Sequence, residues 1–383
     1  MIGWLVQAGT VFVPDGTYLI NALYEDGEGI ALKSNMTLRL SAGATLKVIP
    51  NAAENYSTVS IRQASNVTVI GGTIQGDRYA HQGTGGEWGM GIAVLGSSNV
   101  VIEGVTAKEL WGDGFYIDRV SESVRSRNVR LHHVVADRNR RQGMSIVDVR
   151  GAVVRDSVFQ NTGGTAPSAG MDLEPDAGET VEGVQIIGCK FLKNDGDGLV
   201  LTAPFAHNPP GHVRNCAVIG NLMRGNGQKI DGHNGNGLAL WNVGPARVVG
   251  NTLEDNRGHG IMLWTAHHID IGANRIANNA MHGLWVINTS VKNTIHHNTV
   301  VGSSQALDKD YDNIHLADGA SANRIQANIC RAGNRAKRPA YGVHISSTDC
   351  KNNVVLNNDL RASGVSGAFA NRGTGTKAAG NRR

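Results

Sequence analysis

The chain has little of what marks several large classes of protein. Its 383 residues include only 9 Pro, and aromatic residues make up 5%. The formal net charge is +4, without the concentrated basic stripe that nucleic-acid binding usually needs. No apolar run reaches the roughly 18 residues that a membrane span requires. The composition therefore argues against nucleic-acid and membrane partners, and it leaves room for weak attraction to an acidic polymer.

Cysteine is also scarce, and its spacing excludes the common zinc motifs. Cys189, Cys216, Cys330 and Cys350 contain no Cys-x-x-Cys pair, so the sequence predicts no metal site. We expect buried thiols at these positions. A disulfide between Cys330 and Cys350 is the alternative, and it leaves the redox compartment open.

What the chain has in quantity is glycine, with 50 residues and no collagen period, which indicates many tight turns. One segment recurs in which a Gly, or once an Asn, is followed by apolar residues at every second position. The copies begin at Gly91, Gly114, Gly143, Gly170, Gly198, Gly237, Gly260, Gly283, Asn313 and Gly342. Intervals run from 23 residues (Gly91 to Gly114) to 39 residues (Gly198 to Gly237). A repeat of this length is typical of solenoids.

A second strand-like segment with the same period of two lies between most copies, and Gly, Asn and Asp separate them. A β-sandwich would need paired hairpin turns, whereas here one strand type returns always in the same sense. The sequence therefore predicts an all-β fold, a single-stranded right-handed parallel β-helix of about 11–12 coils. We expect this domain to span residues 1–372, with 373–383 as a flexible basic tail.

This pattern resembles the pectate-lyase-like superfamily of carbohydrate-active β-helices over nearly the whole chain. That group includes pectate lyases, polygalacturonases, alginate epimerases and phage tailspike depolymerases. The resemblance implies a polysaccharide ligand, with an acidic one as an option, in a monomer or homotrimer. It also implies an extracellular or phage virion-associated location. No signal peptide is evident, because the start of the chain lacks a basic region.

Period two fixes which side chains of the repeated segment point outward, and carboxylates gather among them. We expect Asp118, Asp172 and Glu174 to be the catalytic acids. Asp118 and Glu174 share an outward column two coils apart, roughly 10 Å between backbones. The carboxyl groups of inverting glycosidases lie roughly 6.5–9.5 Å apart, which side-chain lean can reach. Asp172 and Glu174 lie roughly 7 Å apart on one strand, and the alternative for both is a solvated face.

The predicted substrate-binding residues flank these acids. Trp241, Trp264 and Trp285 fall on three consecutive coils and form an aromatic patch suited to stacking on sugar rings. The other candidates are Tyr116, Arg140, Arg141, Asp197, His259 and His282. The alternative for the histidines and Asp197 is a turn role, and the arginines can instead pair with Asp137 or Glu174. The Gly-rich loop that precedes Gly91 is a candidate lid.

Family motifs match only in part. Gly258-His259-Gly260 resembles the Gly-His-Gly of polygalacturonases, but their Asp-Asp is reduced to one Asp and no Arg-x-Lys follows. Ala169-Gly170-Met171-Asp172-Leu173-Glu174 resembles the Tyr-Gly-Phe-Asp-Pro-His of alginate epimerases in the Gly and Asp, with Ala and Glu replacing the Tyr and His. This chain therefore contains neither set of motif residues in full.

Three hypotheses remain from the sequence. The first is a polysaccharide-degrading glycoside hydrolase that needs no cofactor or metal. The second is a uronate lyase or epimerase, with calcium as an optional cofactor held by Asp118, Asp172, Glu174 and Asp197, and with Arg140 or Arg141 as the base. The third is a non-catalytic, tailspike-like glycan-binding protein.

Overall fold

A computed structural model describes residues 9–203, 212–229 and 235–383. Within these ranges the secondary structure consists of strands, with no helix. The strands of the N-terminal third are β1 (Gly9–Val13), β2 (Gly16–Ile20), β3 (Glu28–Ala31), β4 (Met36–Leu40), β5 (Ala44–Val48), β6 (Asn55–Arg62), β7 (Ser65–Ile70), β8 (Thr73–Gln75), β9 (Trp88–Leu95), β10 (Ser98–Glu103), β11 (Thr106–Lys108), β12 (Phe115–Asp118), β13 (Ser126–His132) and β14 (Val135–Asp137).

The middle of the chain continues in the same way. Its strands are β15 (Met144–Ile146), β16 (Val149–Arg155), β17 (Val158–Gln160), β18 (Met171–Leu173), β19 (Val181–Ile187), β20 (Lys190–Leu192), β21 (Leu199–Thr202), β22 (Val213–Arg214), β23 (Cys216–Ile219), β24 (Leu222–Arg224), β25 (Leu238–Trp241), β26 (Ala246–Val249) and β27 (Thr252–Glu254). The C-terminal strands are β28 (Ile261–Trp264), β29 (Ile269–Gly272), β30 (Arg275–Ala277), β31 (Leu284–Ile287), β32 (Thr294–His296), β33 (Thr299–Val301), β34 (Ile314–Leu316), β35 (Arg324–Gln326), β36 (Ile329–Arg331), β37 (Tyr341–Ile345), β38 (Val354–Leu356), β39 (Gly367–Asn371) and β40 (Lys377–Ala379).

The strands form three parallel sheets that the chain visits in turn. Sheet A runs β1-β4-β7-β10-β13-β16-β19-β23-β26-β29-β32-β35-β38-β40, with β22 also paired to β19. Sheet B runs β2-β5-β8-β11-β14-β17-β20-β24-β27-β30-β33-β36, and sheet C runs β3-β6-β9-β12-β15-β18-β21-β25-β28-β31-β34-β37-β39. Each strand pairs with the equivalent strand one coil later, so the predicted single-stranded parallel β-helix is confirmed.

The ends of the solenoid extend further than the glycine repeat shows. Sheet C holds 13 strands among the described residues, more than the coil number expected from the sequence, because β3, β6 and β39 lie outside the repeat. The segment 373–383, for which the sequence predicts a flexible tail, carries β40, which pairs with β38. The amide of Leu360 also donates to the carbonyl of Arg382 at 2.7 Å. These C-terminal residues therefore continue the stack of coils.

Inward side chains of successive coils stack into one continuous apolar core. In sheet C, Ile117 aligns with Ile146, and Leu173 aligns with both Ile146 and Leu201. Their exposed fractions are 1% or less. In sheet B, the rings of Phe159 and Phe191 stack 5.3 Å apart. The burial of these side chains supplies most of the favourable free energy of folding, because each coil covers the apolar face of the next.

Buried asparagines hold the corners between sheets. At the corner between sheets A and B, Asn251 donates its Nδ2 to Val218 O and to Asn274 Oδ1, both at 2.9 Å. Its backbone amide donates to the same Asn274 Oδ1 at 2.8 Å. The pattern repeats from coil to coil and satisfies the backbone groups that the turn removes from the sheets. The asparagines that separate the strand segments in the sequence therefore form ladders of hydrogen bonds that run from coil to coil.

The cysteines are free and buried, as the first of the two sequence interpretations predicts. Cys330 lies in β36 and Cys350 follows β37, and no disulfide joins them. Within the part of the chain that the structure describes, no helix has the length and apolar character that a membrane crossing requires.

Candidate functional site

The outward residues of sheet C align in register, as the period-two pattern predicts. Tyr116 pairs with Ser145, and Ser145 pairs with Asp172. Further along the axis Trp241 pairs with Trp264, and Met262 pairs with Trp285. The acidic coils and the tryptophan coils therefore lie on one face, which is the candidate site.

Asp172 and Glu174 form an interacting carboxyl pair in that face. Asp172 is 3% exposed, and its Oδ2 accepts a hydrogen bond from Gln142 Nε2 at 3.0 Å. The Gln142 Oε1 accepts the amide of Ala169 at 2.8 Å, which fixes the orientation of the Gln142 side chain. Burial, followed by the charge of Glu174 and a hydrogen bond to it, raises the pKa of Asp172 well above its usual value. Asp172 therefore favours its protonated form more than an ordinary aspartate does, and Glu174 is the more exposed member of the pair.

Beside this pair lies a second buried carboxyl, Asp113, which was not among the site residues predicted from the sequence. Asp113 has no exposed surface, and its Oδ2 accepts hydrogen bonds from Ser145 Oγ at 2.7 Å and from Arg141 Nη1 at 3.1 Å. Burial raises the pKa of Asp113 to about 6, although Arg141 and Ser145 oppose the shift. Asp113 and Arg141 also act on the charge of Asp172. The sequence shows Asp113 only as an acid between two glycines, and its contact with Ser145 of the next coil becomes visible in the structure.

Asp118 lies on the same face but has different hydrogen-bond partners. Its Oδ2 accepts a hydrogen bond from Tyr116 Oη at 3.0 Å, and its Oδ1 accepts the amide of Arg119 at 2.6 Å. Burial, followed by the charge of Glu179, raises the pKa of Asp118 to about 7. Burial and the nearby Asp118 also raise the pKa of Tyr116. The three predicted acids thus share a face, while only Asp172 and Glu174 interact directly.

Two predicted substrate-binding residues have structural contacts. Arg140 lies over the Trp111 ring at 3.8 Å and donates to Gly86 O at 2.9 Å, so it anchors the preceding loop. Asp197 is 4% exposed, and its Oδ1 accepts the backbone amide of Asn236 at 2.6 Å. Burial raises the pKa of Asp197 to about 7. These contacts are those of a turn residue, which is the alternative that the sequence gives for Asp197.

The tryptophans form a partly exposed aromatic ledge along the axis. The rings of Trp241 and Trp264 lie 5.1 Å apart, and those of Trp264 and Trp285 meet edge to face at 6.3 Å. His259 stacks on Trp285 at 4.4 Å and on His282 at 5.4 Å. Both histidines are buried, at 4% and 7% exposure, so they support the ledge from behind. Burial, followed by the charges of neighbouring histidines, lowers the pKa of His282 well below its usual value.

A histidine cluster continues the face beyond the ledge, and the sequence analysis did not select it. Asp312 Oδ2 lies 2.6 Å from His315 Nδ1 and 3.0 Å from His344 Nδ1. His315 Nε2 lies 3.0 Å from Ser346 Oγ. Although burial raises the pKa of Asp312, hydrogen bonds from the two imidazoles outweigh it and hold that pKa below its usual value. Period two places His315 and His344 on the outward face of sheet C, in register with Trp285, but it does not indicate their shared partner Asp312.

The Gly-rich loop before β9, which the sequence makes a candidate lid, packs against the acidic coils. Arg78 Nη1 donates to Asn139 O at 3.1 Å, and His81 stacks on Trp111 with ring centroids 3.9 Å apart. Glu87 Oε1 lies 3.7 Å from Arg141 Nε. The loop therefore forms a wall at the side of the Asp172–Glu174 pair.

Comparisons with known proteins agree with this architecture. Residues 21–174 match the family described as right handed beta helix region, and residues 138–315 match the family described as periplasmic copper-binding protein (NosD). The Bacillus subtilis (strain 168) protein YclG is 30% identical over 238 residues, 57% of this chain and 39% of that protein. The chain thus spans about two fifths of the length of this curated relative.

Solved structures extend the comparison over nearly the whole chain. The A-module of the Azotobacter vinelandii mannuronan C-5 epimerase AlgE6 matches with a TM-score of 0.66 and 16% identity, covering 98% of this chain and 90% of that one. The Dettilon tailspike protein matches with a TM-score of 0.57 and 14% identity, covering 94% and 60%. At this level of identity the likeness concerns the fold. The chain therefore has the right-handed parallel β-helix fold, as its glycine repeat predicts.

Proposed function

We propose that this chain is a polysaccharide-degrading enzyme, a glycoside hydrolase whose catalytic face is the outer surface of sheet C. The observation that carries the proposal is the Asp172–Glu174 pair beside an aromatic ledge, in which burial and the charge of Glu174 raise the pKa of Asp172 well above its usual value. Burying carboxyl groups costs free energy, and a purely glycan-binding face has no need of a buried carboxyl with a raised pKa. A general acid needs such a raised pKa.

The roles follow from exposure and position. Asp172 stores the proton, and Glu174, the more exposed member, delivers it to the glycosidic oxygen. Gln142 and Arg141 keep the pair oriented and limit its negative charge. Because Asp172 and Glu174 act together as one interacting pair, we assign the base to another residue of the face. Asp118, two coils away and roughly 10 Å distant along the backbone, is the residue we assign to activate the water.

The aromatic ledge supports a polymeric substrate. Its first tryptophan lies in the second coil after Glu174, since Thr202 pairs with Trp241 and lies one coil beyond β18. Three rings then follow over consecutive coils roughly 4.8 Å apart. A chain of sugars along the axis would stack on these rings while one linkage reaches Glu174. The epimerase and tailspike structures with this fold support an extracellular or phage-borne location and a polysaccharide ligand.

A polysaccharide panel read for reducing ends and for ultraviolet absorbance tests the proposal. Wild type should release reducing ends without absorbance, and a chelator should not change the rate. Asp172→Asn and Glu174→Gln should lose most of the activity, because a general acid is worth roughly 10²–10⁴-fold. Glu103→Gln, an acid on the outer face of sheet A, is the matched control and should keep wild-type activity.

The other outcomes separate the alternatives. An absorbing product, especially one that a chelator abolishes, would indicate a uronate lyase instead. Glycan binding with no product across the panel, unchanged in both variants, would indicate a non-catalytic spike. Either result would refute the hydrolase.

A further inference from the structure

The histidine cluster has no part in the proposed hydrolysis. His315 lies in the fifth coil after Asp172, through the register Asp172, Val200, Ala239, Met262, Trp285 and His315. Five coils correspond to roughly 24 Å. The cluster therefore needs its own explanation.

Its donor atoms converge on one point near the surface. His315 Nδ1 and His344 Nδ1 approach the same oxygen, Asp312 Oδ2, at 2.6 and 3.0 Å. The Asp312 side chain is 3% exposed, whereas those of His315 and His344 are 14% and 20% exposed. The carboxylate is thus fixed in the floor, and the imidazoles leave one side open to solvent.

These distances are close to those of a metal site. Zinc binds imidazole nitrogen and carboxylate oxygen at roughly 2.0–2.2 Å, so two ligands of a tetrahedral ion lie roughly 3.4 Å apart. A bound ion would replace the two hydrogen bonds that Asp312 Oδ2 now forms with the imidazoles. Asp312, His315 and His282 each offer a ligand atom within 4.8 Å of one another.

Outer contacts already orient the ligands. Asp312 Oδ1 accepts the amide of Tyr341 at 2.9 Å, which leaves Oδ2 for the ion. His315 Nε2 faces Ser346 Oγ at 3.0 Å, so an Nε2–H can donate there while Nδ1 binds metal. Hydrogen bonds of this kind fix the tautomer of metal-bound histidines.

His282 has a different role. Its Nδ1 accepts the backbone amide of Asp312 at 2.9 Å, which occupies the lone pair and leaves the proton on Nε2. In the same column Asn236 Oδ1 accepts the amide of His259 at 2.9 Å, so an asparagine side chain can make the equivalent contact. His282 is therefore a positioning residue for Asp312, with its ring 4.3 Å from that of His315.

We propose that Asp312, His315 and His344 form a binding site for one divalent late transition metal ion, with the fourth position open to water or an anionic ligand. Two imidazoles and a carboxylate suit zinc(II) and copper(II) rather than calcium or magnesium.

Calorimetric titration of the chelator-stripped full chain with zinc(II) tests this site. Wild type should bind one equivalent tightly, and His315→Ala and His344→Ala should each bind at least tenfold more weakly. Alanine already occupies the position of His344 in the next coil, at Ala370, so this variant should fold. Far-ultraviolet circular dichroism checks the fold of each variant.

Two control variants make the test specific. His282→Asn should keep affinity within a few-fold, because asparagine can supply the same acceptor. The variant with both His132→Ala and His133→Ala removes the more exposed group that these residues form with Glu103, and it should still bind one equivalent. Loss of binding in this double variant would assign the ion to the other group and overturn the proposal.

Copper(II) provides a readout that does not depend on any variant. The electron paramagnetic resonance spectrum of the one-to-one wild-type complex should show coupling to two imidazole nitrogens. Absence of zinc(II) binding by wild type, retention of full affinity in both ligand variants, or a spectrum without nitrogen coupling would each overturn the site.

Discussion

Replacing Asp197 by asparagine should stabilise the protein, and the gain should grow with pH. Asp197 is buried, and its folded-state pKa is about 7 against an ordinary value of 3.8. The difference of about 3 pKa units, at about 1.4 kcal/mol each, means that ionised Asp197 costs the folded state about 4 kcal/mol. An asparagine retains the oxygen that accepts the Asn236 amide, and it carries no charge.

The sign of the pH dependence follows from the raised pKa. The folded state binds the Asp197 proton more tightly than the unfolded state, so the stability from this proton is complete below about pH 4. It is lost as the pH rises to about 7, the folded-state pKa. The variant has no such proton to lose. Its advantage over wild type should be below about 1 kcal/mol near pH 4 and approach about 4 kcal/mol above pH 7.

Equilibrium urea unfolding at pH 4 and pH 8, followed by circular dichroism, measures this difference. Other raised carboxyls, such as Asp113, titrate in both proteins and cancel in the comparison. A variant that is less stable than wild type at pH 8, or an advantage that does not change with pH, would refute the assignment of Asp197 as a buried, charge-costly turn residue.

Three further predictions concern the ladders, the core and the ledge. Asn274→Ala should lower the free energy of unfolding by about 3 kcal/mol, because Asn251 then loses its acceptor and buried polar groups are left unpaired. Urea unfolding measures this loss, and a change within experimental error would contradict the prediction. Phe159→Ala should cost about 3–5 kcal/mol in the same assay by opening a cavity against Phe191, and a loss below 1 kcal/mol would mean that the stack relaxes. Trp264→Ala should weaken glycan binding about tenfold in calorimetry without changing the unfolding midpoint; unchanged affinity would remove the ledge from the binding face.

The sequence predicts the fold well because the fold depends on local periodicity. Alternation of apolar residues sets the inward and outward faces, and glycine marks the start of most sheet C strands. The same alternation places Tyr116, Asp172 and Trp285 on one outward face. These properties depend on chain position rather than on side-chain packing, so they are visible in the sequence.

The site is predicted less completely because it depends on how deeply each side chain is buried and where it leans. Asp113 and Asp197 both precede a glycine, yet only Asp113 contacts Arg141 and the outward Ser145. Arg140 and Arg141 are neighbours in the chain, and one stacks on Trp111 while the other enters the acidic cluster. Period two does not distinguish such pairs.

The loops add contacts that no periodicity describes. The segment before β9 brings Glu87 within 3.7 Å of Arg141, across more than one coil. In the same way Asp312, at the end of a long turn, meets His344 from the following coil. Such pairs arise from the path of the turns, which glycine and polar residues allow but do not specify.

The most direct test of the central claim is the structure of Asp172→Asn bound to an oligosaccharide that wild type cleaves. We expect an uncut sugar chain along the outer face of sheet C, with one glycosidic oxygen within hydrogen-bonding distance of Glu174 and neighbouring rings against Trp241 and Trp264. A sugar chain bound on sheet A or sheet B, or one that leaves Glu174 untouched, would contradict the assignment of the active site.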